Sequence, residues 1–235
     1  MSVVLSQEPL EKGCEKCSGE GHTFIPIEGR EHGKYWIDCE CSVEIESLKE
    51  SRKLYKDSNL PRRLMKEDRF ENWDVPEGFD VQRLIDIIDG ESLLDNWVFI
   101  HGNTGTGKTY LAILLAKIAL LREKSIYFTS VVSLLENLRP ESENRIGLLT
   151  KCCKSEVLIL DDIGHEKSSQ WVRERLYLII NERWNNGLIT IFTSNFPPEN
   201  LKDTVSQAVY SRVKGESLEI LLLAKKDKRL INNPK

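Results

Sequence analysis

Apolar residues follow two rhythms along this chain. Short, mostly apolar runs at Trp97–Ile100, Ser125–Thr129, Val157–Leu160, Leu188–Thr193 and Leu218–Leu223 have the length and β-branched or aromatic content of buried strands. Between them apolar positions recur every three or four residues. Val81, Leu84, Ile85 and Ile88 mark one amphipathic helix, and Leu111, Leu114, Leu115, Ile118 and Ala119 mark another. Further helices are expected over Val131–Leu138, ended by Pro140, over Ile146–Lys154, and over Gln170–Trp184, stopped at Asn186-Gly187. Strands alternating with helices predict an α/β fold with a five-stranded, mostly parallel sheet covered on both faces, and such sheets bind ligands at the carboxyl ends of their strands.

The first of these strands runs straight into Gly102-Asn-Thr-Gly-Thr-Gly-Lys-Thr109, the GxxxxGKT pattern of a phosphate-cradling loop, and a helical pattern follows at once. Strand, loop and helix in that order make this more than a glycine-rich turn. Gly102, Gly105 and Gly107 let the backbone approach closely, with Asn103, Thr104 and Thr106 completing the loop. Lys108 is expected to reach the β- and γ-phosphates of ATP, and the Thr109 hydroxyl to hold Mg²⁺. Asp161 and Asp162 end the Val157–Leu160 run at the same rim of the sheet. Asp161 is assigned to the Mg²⁺ shell and Asp162 to orienting or deprotonating the attacking water. Asn195, in Thr193-Ser-Asn195, ends the next strand and is placed to bond the γ-phosphate or the water. Read alone, an acidic pair or an Asn before Phe196-Pro-Pro would be a turn residue.

The cysteines form a separate pattern. Cys14-x-x-Cys17 and Cys39-x-Cys41 are separated by 21 residues. Two tight thiolate pairs suit tetrahedral Zn²⁺, and in a reducing compartment metal is favoured over disulfides. Phe24–Ile27 and Tyr35–Ile37 are expected to form a hairpin between the pairs, and a module this small would draw much of its folding free energy from the metal. His22 and His32 lie nearby, but four cysteines already complete a tetrahedral set. Cys152 and Cys153 are read as helix residues without chemistry. The boundary between the zinc module, 1–58, and the ATPase domain, 59–235, is placed at Asn59-Leu-Pro61.

Composition narrows the partners. Of the 235 residues 40% are apolar, enough for a core, and the net charge of −4 lies in the first 60 residues, with 8 basic against 12 acidic side chains. Without a global positive field, any DNA contact must come from a local patch. Candidates are Arg139, Arg145 and Lys151, or the Lys225, Lys226, Lys228, Arg229 run, although solvated surface has the same composition. No apolar run is long enough to span a bilayer, and a cytoplasmic protein without membrane contact is expected.

Together, GNTGTGKT, LILDDIGHEKSSQW, the strand ending in TSN and Tyr210-Ser-Arg212 resemble an AAA+ ATPase, and more narrowly the DnaC/DnaI type of bacterial or phage replicative helicase loader. The paired cysteines and the NLP segment extend that resemblance through the chain. It implies an ATPase that hydrolyses ATP in an assembly while loading a DnaB-type hexameric helicase onto single-stranded DNA during replication, and the shorter second carboxylate of Asp161-Asp162 predicts slow turnover. The zinc module would dock on the helicase, and copies of the chain would assemble into a ring or spiral. By the same resemblance Asn195 is the sensor residue and Arg212 the arginine finger reaching a neighbouring subunit's γ-phosphate. Two departures stand out: Asp161-Asp162 where Asp-Glu is usual, and few residues after the last strand for a helical lid, where Arg229 would be a reduced second sensor. Rival readings are an IstB-type transposition ATPase docking on a transposase, a nucleotide-gated DNA-binding adaptor that does not hydrolyse ATP, and a P-loop kinase, which lacks an arginine-rich lid here.

Overall fold

A computed structural model describes residues 22–26, 34–38, 50–61, 80–92, 96–165 and 168–223, in two compact units, Met1–Lys53 and Leu54–Lys235. In the first unit β1 (His22–Pro26) pairs antiparallel with β2 (Lys34–Asp38), His22 facing Asp38 and Pro26 facing Lys34. This is the hairpin expected between the cysteine pairs. An isolated two-stranded ribbon is marginal in water, so these ten residues need further support. Cys14, Cys17, Cys39, Cys41 and His32 lie outside the described residues.

The second unit is built on five strands in the order β4-β5-β6-β3-β7, every neighbouring pair parallel. They are β3 (Trp97–His101), β4 (Ile126–Ser130), β5 (Val157–Asp161), β6 (Ile189–Ser194) and β7 (Ser217–Leu221). Each lies within one or two residues of its expected range. The central strands β3 and β6 are buried along their whole length, which is why they read as continuous apolar runs.

Helices cover both faces. On one, α1 (Val81–Asp89) and α2 (Lys108–Leu121) pack against Val98, Ile100, Ile159 and Ile191. The Asp80 carboxylate caps α1 by accepting from the Arg83 amide at 3.0 Å, and Gly90 closes it in the left-handed region at φ 83°. Leu84 and Ile88 are buried as expected, but Ile87 rather than Ile85 joins them in the core. The helix is rotated slightly from the face that spacing alone selected. α2 is buried nearly all round, with Leu111, Ile113, Leu114 and Leu115 at 2% exposure or less. At roughly 2 kcal/mol per buried aliphatic side chain, this helix is anchored firmly enough to hold the loop before it in place.

On the other face lie α3 (Val131–Asn137), α4 (Arg145–Lys154), α5 (Gln170–Asn185), the short α6 (Leu201–Thr204) and α7 (Gln207–Glu216). Neither α6 nor α7 was delimited from sequence, because Phe196-Pro-Pro198 and Gly215 interrupt the periodicity. Arg183 of α5 is fully buried and donates to five neutral oxygens: Thr190 Oγ1 and the carbonyls of Cys152, Ser155, Glu156 and Ile189. It joins α5, the end of α4, and the starts of β5 and β6. Burial pushes its pKa down to about 10. At the sheet's border the Phe128 amide donates to the Ser58 carbonyl at 2.8 Å, and Asn59 Nδ2 donates to the Phe128 carbonyl at 2.9 Å. The Asn59-Leu-Pro61 segment is thus a clip on edge strand β4.

Candidate nucleotide site

The loop Gly102–Gly107 leaves β3 and enters α2 through three glycines at positive φ, 142° at Gly102, 77° at Gly105 and 96° at Gly107. Gly107 is the N-cap of α2 and has no side chain to satisfy the first-turn amides. The positive end of α2 can therefore receive an anion. Gly102 is required for a second reason. A Cβ there would stand 2.0 Å from the Leu222 carbonyl oxygen, where the chain leaving β7 crosses the loop and Leu222 N donates to His101 O at 2.7 Å.

Lys108 is 8% exposed, and its ammonium donates to the carbonyls of Gly102 and Asn103, both at 2.9 Å, and to Asn195 Oδ1 at 2.6 Å. Thr106 Oγ1 also donates to Asn103 O. The phosphate loop and the Thr193-Ser-Asn195 strand end thus converge through one lysine. Thr109 Oγ1 donates to Asp161 Oδ1 at 2.8 Å, bringing the loop hydroxyl and the β5 carboxylate together. Asp162 takes the left-handed conformation at φ 62°, turning the chain sharply after the strand. Its Oδ1 accepts from Asn195 Nδ2 at 3.0 Å. Five side chains expected to meet fall into two hydrogen-bonded sets at the carboxyl rim of β3, β5 and β6, Lys108–Asn195–Asp162 and Thr109–Asp161.

Two residues in this cluster were not singled out from sequence. Thr193 Oγ1 donates to Asp161 Oδ1 at 2.6 Å and accepts from the Asp162 amide at 2.9 Å, bracing both acidic residues from the neighbouring strand. The signal was present in Thr193-Ser-Asn195, where parallel pairing of β5 and β6 sets Thr193 beside the acidic pair. His165 Nε2 lies 2.6 Å from Asn195 Nδ2 and 3.3 Å from Asp162 Oδ1. Nothing in the loop pattern announced it.

Arg212 lies elsewhere. Its guanidinium carbon is 4.8 Å from the Trp184 ring centre and 5.8 Å from that of Tyr177, both on α5, and Nη1 donates to Ala208 O at 3.1 Å. Trp184 and Tyr177 are 43% and 40% exposed, so the arginine rests on an outer aromatic ledge. Lys151 of α4 stands 5.7 Å over the Tyr127 ring at a polar cavity of about 310 Å³ that Asn59, Ser133 and Asn144 also line. Arg145 and Arg139 make local bonds, to Pro140 O and Glu136 Oε1. Lys225, Lys226, Lys228 and Arg229 lie outside the described residues. Cys152 and Cys153 are buried free thiols. Burial pushes the Cys152 thiol up to about 12. Among the described residues no group of His, Cys, Asp and Glu could hold a metal by itself, and no helix is long and apolar enough to cross a membrane.

The sheet order, the glycine loop and the acidic pair facing it define an α/β AAA+-like fold of the DnaA, DnaC, DnaI and IstB-like superfamily. Within it, the sequence profile of the IstB-like ATP binding proteins matches residues 41–213, and the chain belongs to that family. The chain is 25% identical over 211 residues to the replicative helicase loader DnaI of Bacillus subtilis (strain 168), covering 81% of this chain and 67% of that protein. It is 34% identical over 113 residues to the chromosomal replication initiator protein DnaA of Campylobacter jejuni subsp. jejuni (strain 81116), covering 46% of this chain and 25% of that one. The chain thus spans two thirds of the first relative and a quarter of the second. A crystal structure of DnaI superposes with a TM-score of 0.61 at 23% identity, over 71% of this chain and 96% of that chain. The matched family bears the name of the rival reading rather than of the helicase loaders.

Proposed function

We propose that this protein is a Mg²⁺-dependent ATPase that assembles on DNA and delivers a DNA-processing partner to it. The reading rests on one observation, the continuous contact from Lys108 through Asn195 to Asp162, beside the Thr109–Asp161 pair. Lys108 and the first-turn amides of α2 would bind the β- and γ-phosphates of ATP. Thr109 and Asp161 offer the hard oxygen atoms that Mg²⁺ prefers, and the ion, when bound, would neutralise charge on the phosphates. Asp162 is set to orient or deprotonate the attacking water, and Asn195, already bonded to Lys108, to sense the terminal phosphate. Arg212, half-buried on its aromatic ledge, is given a role at a neighbouring copy's site in a ring or spiral by the family resemblance. Cys14, Cys17, Cys39 and Cys41 form the proposed Zn²⁺ module, with the hairpin of β1 and β2 between the pairs.

Two partners follow from the two names. The likeness to DnaI over 211 residues supports loading of a DnaB-type replicative helicase onto single-stranded DNA, whereas the family match supports an IstB-type ATPase acting with a transposase and is the better-supported of the two. Native mass spectrometry of the protein with each partner, with and without ATP, separates them. Phosphate release stimulated by single-stranded DNA and lost in Asp162→Asn supports hydrolysis. Nucleotide binding without release in the assembled complex would leave the non-hydrolysing adaptor.

A further inference from the structure

His165 forms the outer end of the hydrogen-bonded chain at the nucleotide site. The Asn195 amide is fully committed: Oδ1 accepts from Lys108, one hydrogen on Nδ2 goes to Asp162 Oδ1, and the other points at His165 Nε2, 2.6 Å away. An amide nitrogen has no lone pair to offer, so in this contact His165 Nε2 is the acceptor, with Asp162 Oδ1 3.3 Å from the same nitrogen. That requires the neutral ring with its proton on Nδ1. The ring is held in place against Phe196, with centres 5.1 Å apart. Gly164, at φ 97°, turns the chain so that a residue three positions after Asp162 folds back over it.

We infer that His165 is a positioning residue for ATP hydrolysis, holding the Asn195 amide so that it faces both Lys108 and the Asp162 carboxylate. The inference deepens the proposed ATPase reading and rests on it. Without His165 one Asn195 hydrogen loses its acceptor, and the amide is free to swing away from Asp162. Lys108 keeps its loop contacts to Gly102 and Asn103, so phosphate binding is retained. The effect belongs to turnover rather than to nucleotide affinity. Loss of one positioning hydrogen bond corresponds to about a tenfold change in rate.

The test compares the full-length wild type with His165→Ala and His165→Gln, whose side-chain oxygen can still accept from Asn195. The expected result is a kcat about tenfold lower for H165A, affinity for a fluorescent ATP analogue within about twofold of wild type, and substantial recovery of kcat in H165Q. Unchanged kcat in H165A, or a loss of affinity matching the loss of rate, overturns the inference. Two-bond ¹H–¹⁵N spectra of the imidazoles provide a second readout that needs no turnover. The His165 signal should show the Nδ1–H tautomer, and Nε2 should shift in Asn195→Ala. If the wild type binds ATP but never releases phosphate, the ATPase reading fails, and these spectra then decide alone whether His165 holds Asn195. A proton on Nε2 sinks that placement.

Discussion

At the residue scale, the chemistry of the phosphate loop needs particular residues at fixed spacing: glycines for positive φ, then lysine, then a hydroxyl. The same applies to the acidic pair, since a carboxylate placed directly after an apolar run sits at a strand's carboxyl end. His165 and the Thr193 brace were not legible. Their roles depend on which strands lie side by side and on the sharp turn at Asp162, neither of which a local pattern records. Gly102 illustrates the same divide. Its flexibility is visible in the motif, while its approach to the Leu222 carbonyl is visible only in the fold. Gly102→Ala should therefore destabilise the second unit by about 2 kcal/mol, because the obstructing atom is backbone and cannot rotate aside. Urea unfolding checks this, and an unchanged midpoint would show that the β7 exit is freer than described. Burial raises the thiol pKa of Cys152 to about 12 and raises that of Cys153 as well. Both should resist iodoacetamide near neutral pH in the folded protein and react once it is unfolded in urea. Mass mapping of the alkylated sites reads this directly.

At the element scale, strand and helix existence followed from periodicity, and errors concentrated where turns interrupt it. α6 and α7 were hidden by prolines and a glycine, and α1 was rotated by the packing of Ile87. Tertiary contacts chose between two nearly equivalent faces. Arg183 is a further case, since a charged residue in an amphipathic pattern reads as surface yet here is enclosed with one hydroxyl and four carbonyl partners and no carboxylate. Arg183→Met should cost about 3 kcal/mol through the stranded carbonyls of Cys152, Ser155 and Ile189, with a drop in melting temperature and no change in nucleotide affinity. Lys214 of α7 bonds Glu219 of β7 at 2.7 Å and Glu199 of the 3₁₀ turn Pro198–Asn200 at 2.9 Å. The Lys214 hydrogen bond holds the Glu199 carboxyl below its ordinary 4.5, and the two glutamates raise Lys214. A depressed acid stabilises the fold above 4.5 and loses that contribution as pH falls through its lowered value, while the raised lysine loses its contribution only in strong alkali. Stability from this bridge should be flat around neutrality and fall on acidification. All three side chains are well exposed, so the amplitude is about 0.5 kcal/mol and should shrink in high salt.

At the scale of the whole molecule, the doubly covered sheet and the rim site were readable, because alternation of strands and helices leaves few topologies. Assembly was not, since it depends on surfaces that one chain does not complete. Arg212 gives the sharpest prediction there. Arg212→Ala and Lys108→Ala should each be inactive alone, the first binding ATP normally and the second not. Mixing them should restore part of the phosphate release, because the intact arginine of one copy then meets the intact loop of another. Activity absent from the mixture would place the arginine's role within its own subunit.

The clip at Ser58 and Asn59 has a mechanical consequence. Two hydrogen bonds fasten the segment to Phe128 in an outer strand whose next neighbour, β5, ends in Asp161. Tension arriving from upstream of residue 58 is therefore borne by the sheet itself, one strand away from the carboxylate proposed to hold magnesium, so a tug on the leading segment has a short route to the proposed nucleotide rim.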